Sequence, residues 1–387
     1  MSGALTRLAA RRLHVLLVEA RGATAVRWAA EAELDRRGWV VAASAADADV
    51  VLVCGTPGPA LAALADAVLD LLPRPADRAA AATPEEVGTA LDGALARWAT
   101  GGLPRAGRAA GAEDGDGDGD GGSGDGGSDD GGSDDDDGDD GGGMDMSGPG
   151  GVPLAGGAED RDGLEMDVLH VPLGPVLPAW PAGLVLTGTL AGDVVTGAGV
   201  DVLPAAGPAP GAVPAAVPVR PPGGALRADL VARVLTLAGR ADLAGRARTA
   251  RGLLLAGDPS AAQRQWVRVG RAVGRSRGLR WSLRDVGALD GVLLAEHRVP
   301  AGLAGDVADR LAAALADPLS HPLDAEPLDA GSAGWPGPAP AGWRARLLGL
   351  LPGLVTGAEL AGVRLVLASL PADLTAVVPE VEQVRHG

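Results

Sequence analysis

The chain has 387 residues and a formal net charge of −17, from 50 acidic and 33 basic residues. Its arginines are scattered apart from one short row, which excludes the long basic patches typical of nucleic-acid-binding proteins. A single cysteine, Cys54, excludes an internal disulfide framework and any iron–sulfur or nickel–iron site built from this chain alone. We therefore expect no cofactor and no metal.

The chain lacks Phe and Tyr, and its printed sequence also contains no Ile, Lys or Asn. These residues share AT-rich codons, so their joint absence indicates a very GC-rich genome. The hydrophobic core must then consist of Leu, Val, Ala and the eight Trp residues. Each Trp is expected to matter for packing, because few other aromatic groups are present.

Residues 1–103 are predicted to form an α/β domain, a short parallel sheet with helices. Residues 1–12 lack the apolar stretch of a signal peptide. The apolar run 50–54 is typical of a buried parallel strand. Strands and helices alternate, with strands expected at 14–18, 39–43 and 50–54 and helices at 24–37, 59–72 and 84–98.

Residues 104–150 are predicted to be a disordered linker rich in Asp, Gly and Ser. Fourteen Asp and one Glu lie between Glu113 and Asp145 with no basic residue, so this segment holds −15 of the net charge. Such a segment buries almost nothing and repels itself. The alternative, a calcium-binding repeat, requires regularly placed large apolar residues, and residues 121–143 contain none.

Residues 151–387 are predicted to form an α+β domain, a β-hairpin followed by a helical bundle. Alternating residues at 184–190 and 194–202 flank a turn, which indicates the hairpin. Helices are expected at 226–237, 241–255, 260–277, 302–316 and 341–370, the last broken near Pro352. The apolar run 347–370 is interrupted by Glu359 and Arg364, so no membrane span is predicted. The expected location is the cytoplasm, including a peripheral position on the inner face of the cell membrane.

The sequence offers few candidates for a catalytic, ligand-binding or metal-binding site. Cys54 follows a buried strand, where ligand sites of α/β proteins form. A buried structural thiol is the simpler interpretation, because no nearby base activates it. The loop 19–24 is a candidate phosphate-binding turn. His170 is expected to be a packing histidine rather than a metal ligand, and Asp193 a turn former.

A row of arginines lies within the predicted helix 260–277. Arg264, Arg268, Arg271 and Arg275 are spaced so that they share one helix face. The helix holds no acidic residue to offset them. Either the row is a solvated or salt-bridged surface, or it docks on a partner.

Residues 169–178 and residues 184–195 carry a Gly-Pro turn and a hairpin with Gly192, Asp193 and Val195 at its turn. These two segments of the second domain resemble the opening of the large, quinone-facing subunit of respiratory complex I and the related large subunit of membrane-bound hydrogenases. That family has a Gly-Pro-x-His-Pro turn before a hairpin. Gly174, Pro175 and Pro178 match the turn, and Gly192-Asp193 resembles the tip of the hairpin. Gly174, Pro175, Pro178 and Asp193 are the candidate cofactor-binding positions of these motifs, and Cys54 is a further candidate because it ends a buried strand.

The first domain resembles the cluster-bearing subunit of the same complex. The similar stretches are residues 46–56 and, after a helix, residues 72–75. The cysteine ligands that the family uses have no counterpart, since Ala23, Thr24 and Ala25 stand in the expected place. The turn histidine that faces the quinone in the family is Leu177 here.

The resemblance therefore implies a fused, degenerate NADH-quinone oxidoreductase-like or hydrogenase-like subunit. Its role would be structural or coupling, and its partners would be other subunits of such an assembly. Whether the chain is an enzyme stays open. One alternative is an active quinone-linked oxidoreductase subunit that uses cofactors supplied by partners. Another is a tethered interaction protein without a redox role.

Overall fold

The first described region contains a parallel sheet covered by helices. The computed structural model describes residues 12–100, 156–159, 165–207, 223–316, 340 and 342–375. The strands are β1 (His14–Glu19), β2 (Val40–Val41), β3 (Val50–Cys54) and β4 (Asp77–Ala81), and the helices are α1 (Thr24–Arg37), α2 (Pro59–Leu71) and α3 (Val87–Ala99). All pairings are parallel in the order β2-β1-β3-β4. The predicted α/β class is confirmed.

Strand β4 was not expected from the sequence. Its residues, Asp77-Arg-Ala-Ala-Ala81, include no β-branched or aromatic side chain. The strand forms because pairing with β3 satisfies its backbone, and Ala79 and Ala81 fill the narrow space beneath α3. The buried carboxylate of Asp77 accepts hydrogen bonds from Arg97 Nε at 3.0 and 3.2 Å, which ties β4 to the end of α3.

The second described region begins with an antiparallel sheet. Its strands pair in chain order: β5 (Gly156–Glu159), β6 (Glu165–Leu173), β7 (Leu184–Ala191) and β8 (Val194–Val202). The predicted hairpin is confirmed as β7–β8, with two further strands beside it. Alternate residues of β7 are buried, as expected for a sheet with one face on the core.

Helices follow the sheet, as predicted. They are α4 (Gly223–Leu237), α5 (Ala241–Leu255), α6 (Pro259–Arg275), α7 (Arg277–Leu283), α8 (Gly291–Glu296), α9 (Val307–Ala316), α10 (Trp343–Val355) and α11 (Leu360–Ala368). The expected break near Pro352 is wrong in position, because α10 continues through this proline to Val355. The break falls at residues 356–359, whose backbone pairs with the β7–β8 hairpin instead: Val195 N–H donates to Ala358 O at 2.9 Å and Leu360 N–H to Asp193 O at 2.9 Å.

Arg310 holds the middle of the helical region together. Its guanidinium donates to Gly305 O at 2.6 Å, to Gly287 O at 3.0 Å and to the Ser369 hydroxyl at 2.9 Å. The side chain is completely buried, and burial lowers the pKa of Arg310 to about 10. It therefore remains protonated at neutral pH and satisfies the backbone carbonyl groups of Gly287 and Gly305, which lie in two separate connections between helices.

Two predictions lie outside the described residues or are limited by them. The linker 104–150, predicted to be disordered, lies entirely outside the described residues, between residues 100 and 156. Within the parts of the chain that are described, no helix has both the length and the apolar character required to cross a bilayer.

The two turns singled out in the sequence make a paired test of backbone constraint. Gly174 and Gly192 both have positive φ, +82° and +62°. A Cβ on Gly174 would collide with the Trp180 indole, whereas one on Gly192 would meet open space. We expect Gly192→Ala to cost about 1 kcal/mol of unfolding free energy, and Gly174→Ala clearly more. Urea unfolding followed by circular dichroism measures both, and equal costs would contradict the packing argument.

Candidate functional site

A cluster of buried charges joins the parallel-sheet region to the helical region. It contains three carboxylates and three guanidinium groups, so its formal charge is zero. The members are Glu19 at the end of β1, Arg27 and Glu31 on α1, Asp229 and Arg233 on α4, and Arg251 on α5. We call this set the junction cluster.

Asp229 lies at its centre with no exposed surface. Arg27 grips it with two bonds, Nη1 to Oδ1 at 3.0 Å and Nη2 to Oδ2 at 2.8 Å. Arg251 Nη1 donates to Oδ1 at 2.7 Å, and Arg233 Nε lies 3.2 Å from Oδ2. Bidentate arginine–carboxylate contact fixes orientation as well as distance, so α1 is held in one register against α4.

Trp28 adds an aromatic contact to the same carboxylate. Its indole Nε1–H donates to Asp229 Oδ1 at 2.7 Å, and the Arg251 guanidinium lies 5.0 Å from the centre of its ring. Although Trp28 belongs to α1, its ring is buried within the core of the second region. The junction is thus apolar as well as ionic, and one residue contributes to both parts.

The acids at the edge of the cluster are also satisfied. Glu19 accepts from Arg27 Nε at 2.5 Å and from the Thr24 hydroxyl at 2.7 Å. Glu31 accepts from Arg27 at 2.6 Å and from Arg251 at 2.6 Å. Every carboxylate is therefore paired, as buried charges require. The arrangement leaves no acid or base of the cluster free to exchange protons with a substrate. These ion pairs instead hold the parallel-sheet region against the helical region.

Two acids of the cluster, Asp229 and Glu31, stay ionised at neutral pH. Burial alone raises the pKa of Asp229, but the opposing positive charges of Arg27, Arg233 and Arg251 outweigh it and the net pKa is lowered. The same balance lowers the pKa of Glu31, where Arg251 and Arg27 overcome burial. For Arg27, the surrounding carboxylates overcome burial and raise its pKa.

The carboxyl edge of the parallel sheet is the second part of the junction. In open α/β sheets, ligands bind in the crevice beyond this edge. Here the β1–α1 loop sends Arg21 into the second region, where its guanidinium donates to Thr375 O at 2.8 Å and Leu203 O at 3.2 Å. After β3, a Cβ added to Gly58 would lie 2.5 Å from Pro204 O. The loops that follow β1 and β3 at this edge therefore contact the second region of the protein.

Cys54 ends β3 beneath this edge and is fully buried. Burial, and after it the negative charge of Glu19, raises the pKa of its thiol far above neutral. The thiolate, which is the reactive form, is thus suppressed. This placement favours the structural interpretation of Cys54.

The turn singled out by the resemblance lies at the same junction. The positive φ of Gly174 makes room for Trp180, whose Nε1–H donates to Leu184 O at 2.8 Å. Pro175 is buried. Val176 packs on the core of the first region and Leu177 on that of the second. The turn therefore packs between the hydrophobic cores of the two regions.

The remaining candidates lie apart from the junction cluster. Pro178 accepts a hydrogen bond through its carbonyl from Arg364 at 3.4 Å. Asp193 is exposed at the tip of the β7–β8 hairpin, as expected of a turn former. His170 is exposed on β6 with its Nδ1 3.1 Å from the Thr189 hydroxyl, so the prediction of a packing histidine was wrong. The described residues include no group of three or more His, Cys, Asp or Glu placed to hold a metal ion.

Sequence reasoning missed the junction cluster, although one signal was present. Asp229 and Arg233 stand one helical turn apart inside an otherwise apolar stretch, where α4 is buried over almost its whole circumference. A charged pair in such a stretch requires buried partners. Nothing in the sequence identified Arg27 and Arg251 as those partners.

The chain matches no protein-family model, no curated protein and no solved structure.

Removing the central charge tests the junction. Asp229→Asn keeps the shape but leaves three guanidinium groups facing two carboxylates. We expect a loss of about 3–5 kcal/mol in unfolding free energy, the usual cost of breaking a buried ion pair. Asp242→Asn on the exposed start of α5 is the matched control, expected to cost less than about 0.5 kcal/mol. Equal, small losses in urea unfolding would show that the cluster does not stabilise the junction.

The lowered pKa values of Asp229 and Glu31 also predict a pH dependence. Groups whose folded pKa is depressed contribute stability above their unfolded pKa, about 3.9 for Asp and 4.3 for Glu. That contribution is lost as pH falls through the lower, folded pKa. We expect the unfolding midpoint in urea to fall steeply below pH ~4. In Asp229→Asn the fall should be shallower, and parallel curves for the two proteins would contradict this assignment.

Proposed function

We propose that this chain is a fusion, similar to the cluster-bearing and the large subunits of respiratory complex I, with a structural or coupling role in a membrane-associated redox assembly. The supporting observation is the use of the sheet's carboxyl edge. Loops that hold ligands in other α/β proteins carry Arg21 and Gly58, which contact the second region. In this chain, these loops therefore connect the parallel-sheet region to the second region.

Two of the segments that suggested the resemblance are connected through the core of the first region. Residues 46–56 include β3, which ends beneath the covered edge. The Gly174–Pro175 turn wedges between the two cores through Val176 and Leu177. Val176 of the second stretch thus packs on the core to which β3 of the first stretch belongs, which supports the fusion hypothesis.

The side chains at these positions favour a role without a cofactor of its own. Leu177 stands where the resemblance implies a quinone-facing histidine, and a hydrocarbon side chain cannot hydrogen-bond a headgroup. Cys54 is buried with a raised thiol pKa. A four-iron cluster requires four thiolates, and the chain has one cysteine. We accordingly propose that redox cofactors belong to partner subunits.

The proposed partners are the other subunits of a complex-I-like or hydrogenase-like assembly. The proposed location is the cytoplasmic face of the cell membrane, reached through those partners. Outside residues 113–145 the net charge is only −2. Nearly neutral surfaces suit extensive packing against other subunits, because they avoid long-range repulsion.

Purification of the tagged chain from membranes of its native host tests this proposal. After mild detergent extraction, we expect multi-span membrane subunits to co-purify in fixed ratio, and mass spectrometry identifies them. The untagged strain is the control for unspecific recovery. Recovery of the chain alone would overturn the proposal and favour a non-redox interaction protein.

Iron content and visible absorption of the purified assembly separate a structural from a cofactor-binding role. The matched variant is Cys54→Ala, which removes the only thiol of the chain. We expect both signals to be unchanged, because any cluster would lie in a partner. A signal that falls in Cys54→Ala would contradict the cofactor-free role and favour the active oxidoreductase alternative.

A further inference from the structure

The surface of α6 and α7 carries a concentration of unpaired positive charge. Seven arginines are exposed within 21 residues, and no acidic residue lies between residues 260 and 284. They are Arg264, Arg268, Arg271, Arg275, Arg277, Arg280 and Arg284. Within the described parts of the chain none of the seven forms an ion pair, whereas Arg36, Arg240 and Arg248 each face an acid. The sequence left open whether this surface is solvated or docks on a partner, and among the described residues it has no ion-pair partner.

Trp281 stands among these arginines with 78% of its surface exposed. Together with Arg277, Arg280 and Arg284 it lines a surface depression of about 200 Å³. A large, exposed indole is unfavourable in water but suits a membrane interface, where its apolar body and polar N–H meet different surroundings. We call Trp281 and the seven arginines the Arg–Trp face.

An apolar cavity opens beside this face. It has a volume of about 440 Å³, lies between α6, α7 and α9, and shares Arg280 and Arg284 with the face. Its walls include Val273, Leu279, Leu283, Leu311 and Leu315. Asp306 and Asp309 also line it, but their carboxylates accept backbone N–H groups: Asp306 accepts from Asp285 and Asp309, and Asp309 accepts from Asp306. Arginines next to an apolar recess suit a ligand with an anionic head and a hydrocarbon tail.

We propose that the Arg–Trp face binds the surface of a membrane containing anionic phospholipid. Headgroup phosphates pair with the arginines, the Trp281 ring enters the interface, and an acyl chain of a lipid held at Arg280 and Arg284 occupies the cavity. Clusters of four to eight basic residues on a helix are typical of such surfaces. Arginine also binds phosphate in a bidentate manner.

Two other anionic occupants fit the face less well. The acidic segment of this chain would match its charge, but residues 121–143 offer no large apolar side chain for the cavity. A nucleic acid likewise has no hydrocarbon chain to place there. The arginine row on α6 spans about 16 Å in a straight line, and lipid headgroups can move to match it.

This inference does not rest on the proposed fusion and its role in a redox assembly. It concerns direct contact between the chain and lipid, and it holds or fails with purified components. Co-purification with membrane subunits tests the other proposal. The proposal of lipid binding and the proposal of a redox assembly can therefore be contradicted independently of each other.

Vesicle flotation with the full purified chain provides the test. We expect binding to equimolar phosphatidylcholine and phosphatidylglycerol vesicles, little binding to pure phosphatidylcholine, and weakening with salt. In Arg271→Glu/Arg275→Glu binding should fall at least about twentyfold, since each basic residue contributes a factor of about five. The control is Arg36→Glu/Arg240→Glu, which changes the net charge equally, leaves the face intact, and should bind like the unaltered chain.

Trp281 and the occupant are tested in the same assay. Trp281→Ala should weaken binding several-fold, whereas Leu71→Ala, which alters another apolar side chain with 69% exposure, should not. The proposal is overturned if both double variants lose binding equally, or if inorganic phosphate releases the bound chain. It is also overturned if binding appears only after the acidic residues of 113–145 are replaced by Ser, because that segment would then occupy the face. Circular dichroism verifies that each variant is folded.

Discussion

The pairing of Asp229 with Arg27 is the contact on which the arrangement of the two regions depends. One residue belongs to the helical region and the other to the helix that flanks the parallel sheet. A buried carboxylate is costly to desolvate, and it is tolerated here because three guanidinium groups and an indole N–H surround it. Hydrophobic contact would allow α1 to slide or rotate on α4, whereas this geometry admits one position.

Every buried cation among the described residues is an arginine, and this has physical consequences. Lysine is absent from the sequence, and a buried lysine would lose its proton more readily. A guanidinium instead remains charged and offers up to five donors. Arg310 uses several of them on backbone carbonyls, while Arg27 bridges three carboxylates. Arginine thus fixes loop backbones in the helical region and connects the two regions at the junction cluster.

The sequence predicted the elements better than their meeting points. The Val-rich run 50–54 and the alternating hairpin 184–202 were identified because periodicity and flanking turns reveal local structure. Strand β4 was missed because Ala81 and its neighbours have no intrinsic strand preference and pair only through β3. His170 was expected inside because its neighbours are apolar, yet it lies on the open face of the sheet. The junction cluster depends on residues 202 positions apart, and no local pattern carries that information.

The separation of Arg27 and Asp229 along the chain also has a consequence for biosynthesis. At 5–20 residues per second, a ribosome adds Asp229 about 10–40 s after Arg27. Throughout that interval the nascent first region presents Glu19, Arg27 and Glu31 to water with only one another as charged partners, and the Trp28 ring has no core to enter. The first region must therefore remain soluble as a lone folding unit while it waits. The mixed charges around the exposed Trp28 indole suit this interval. They keep the future contact surface hydrated until the second region has been synthesised.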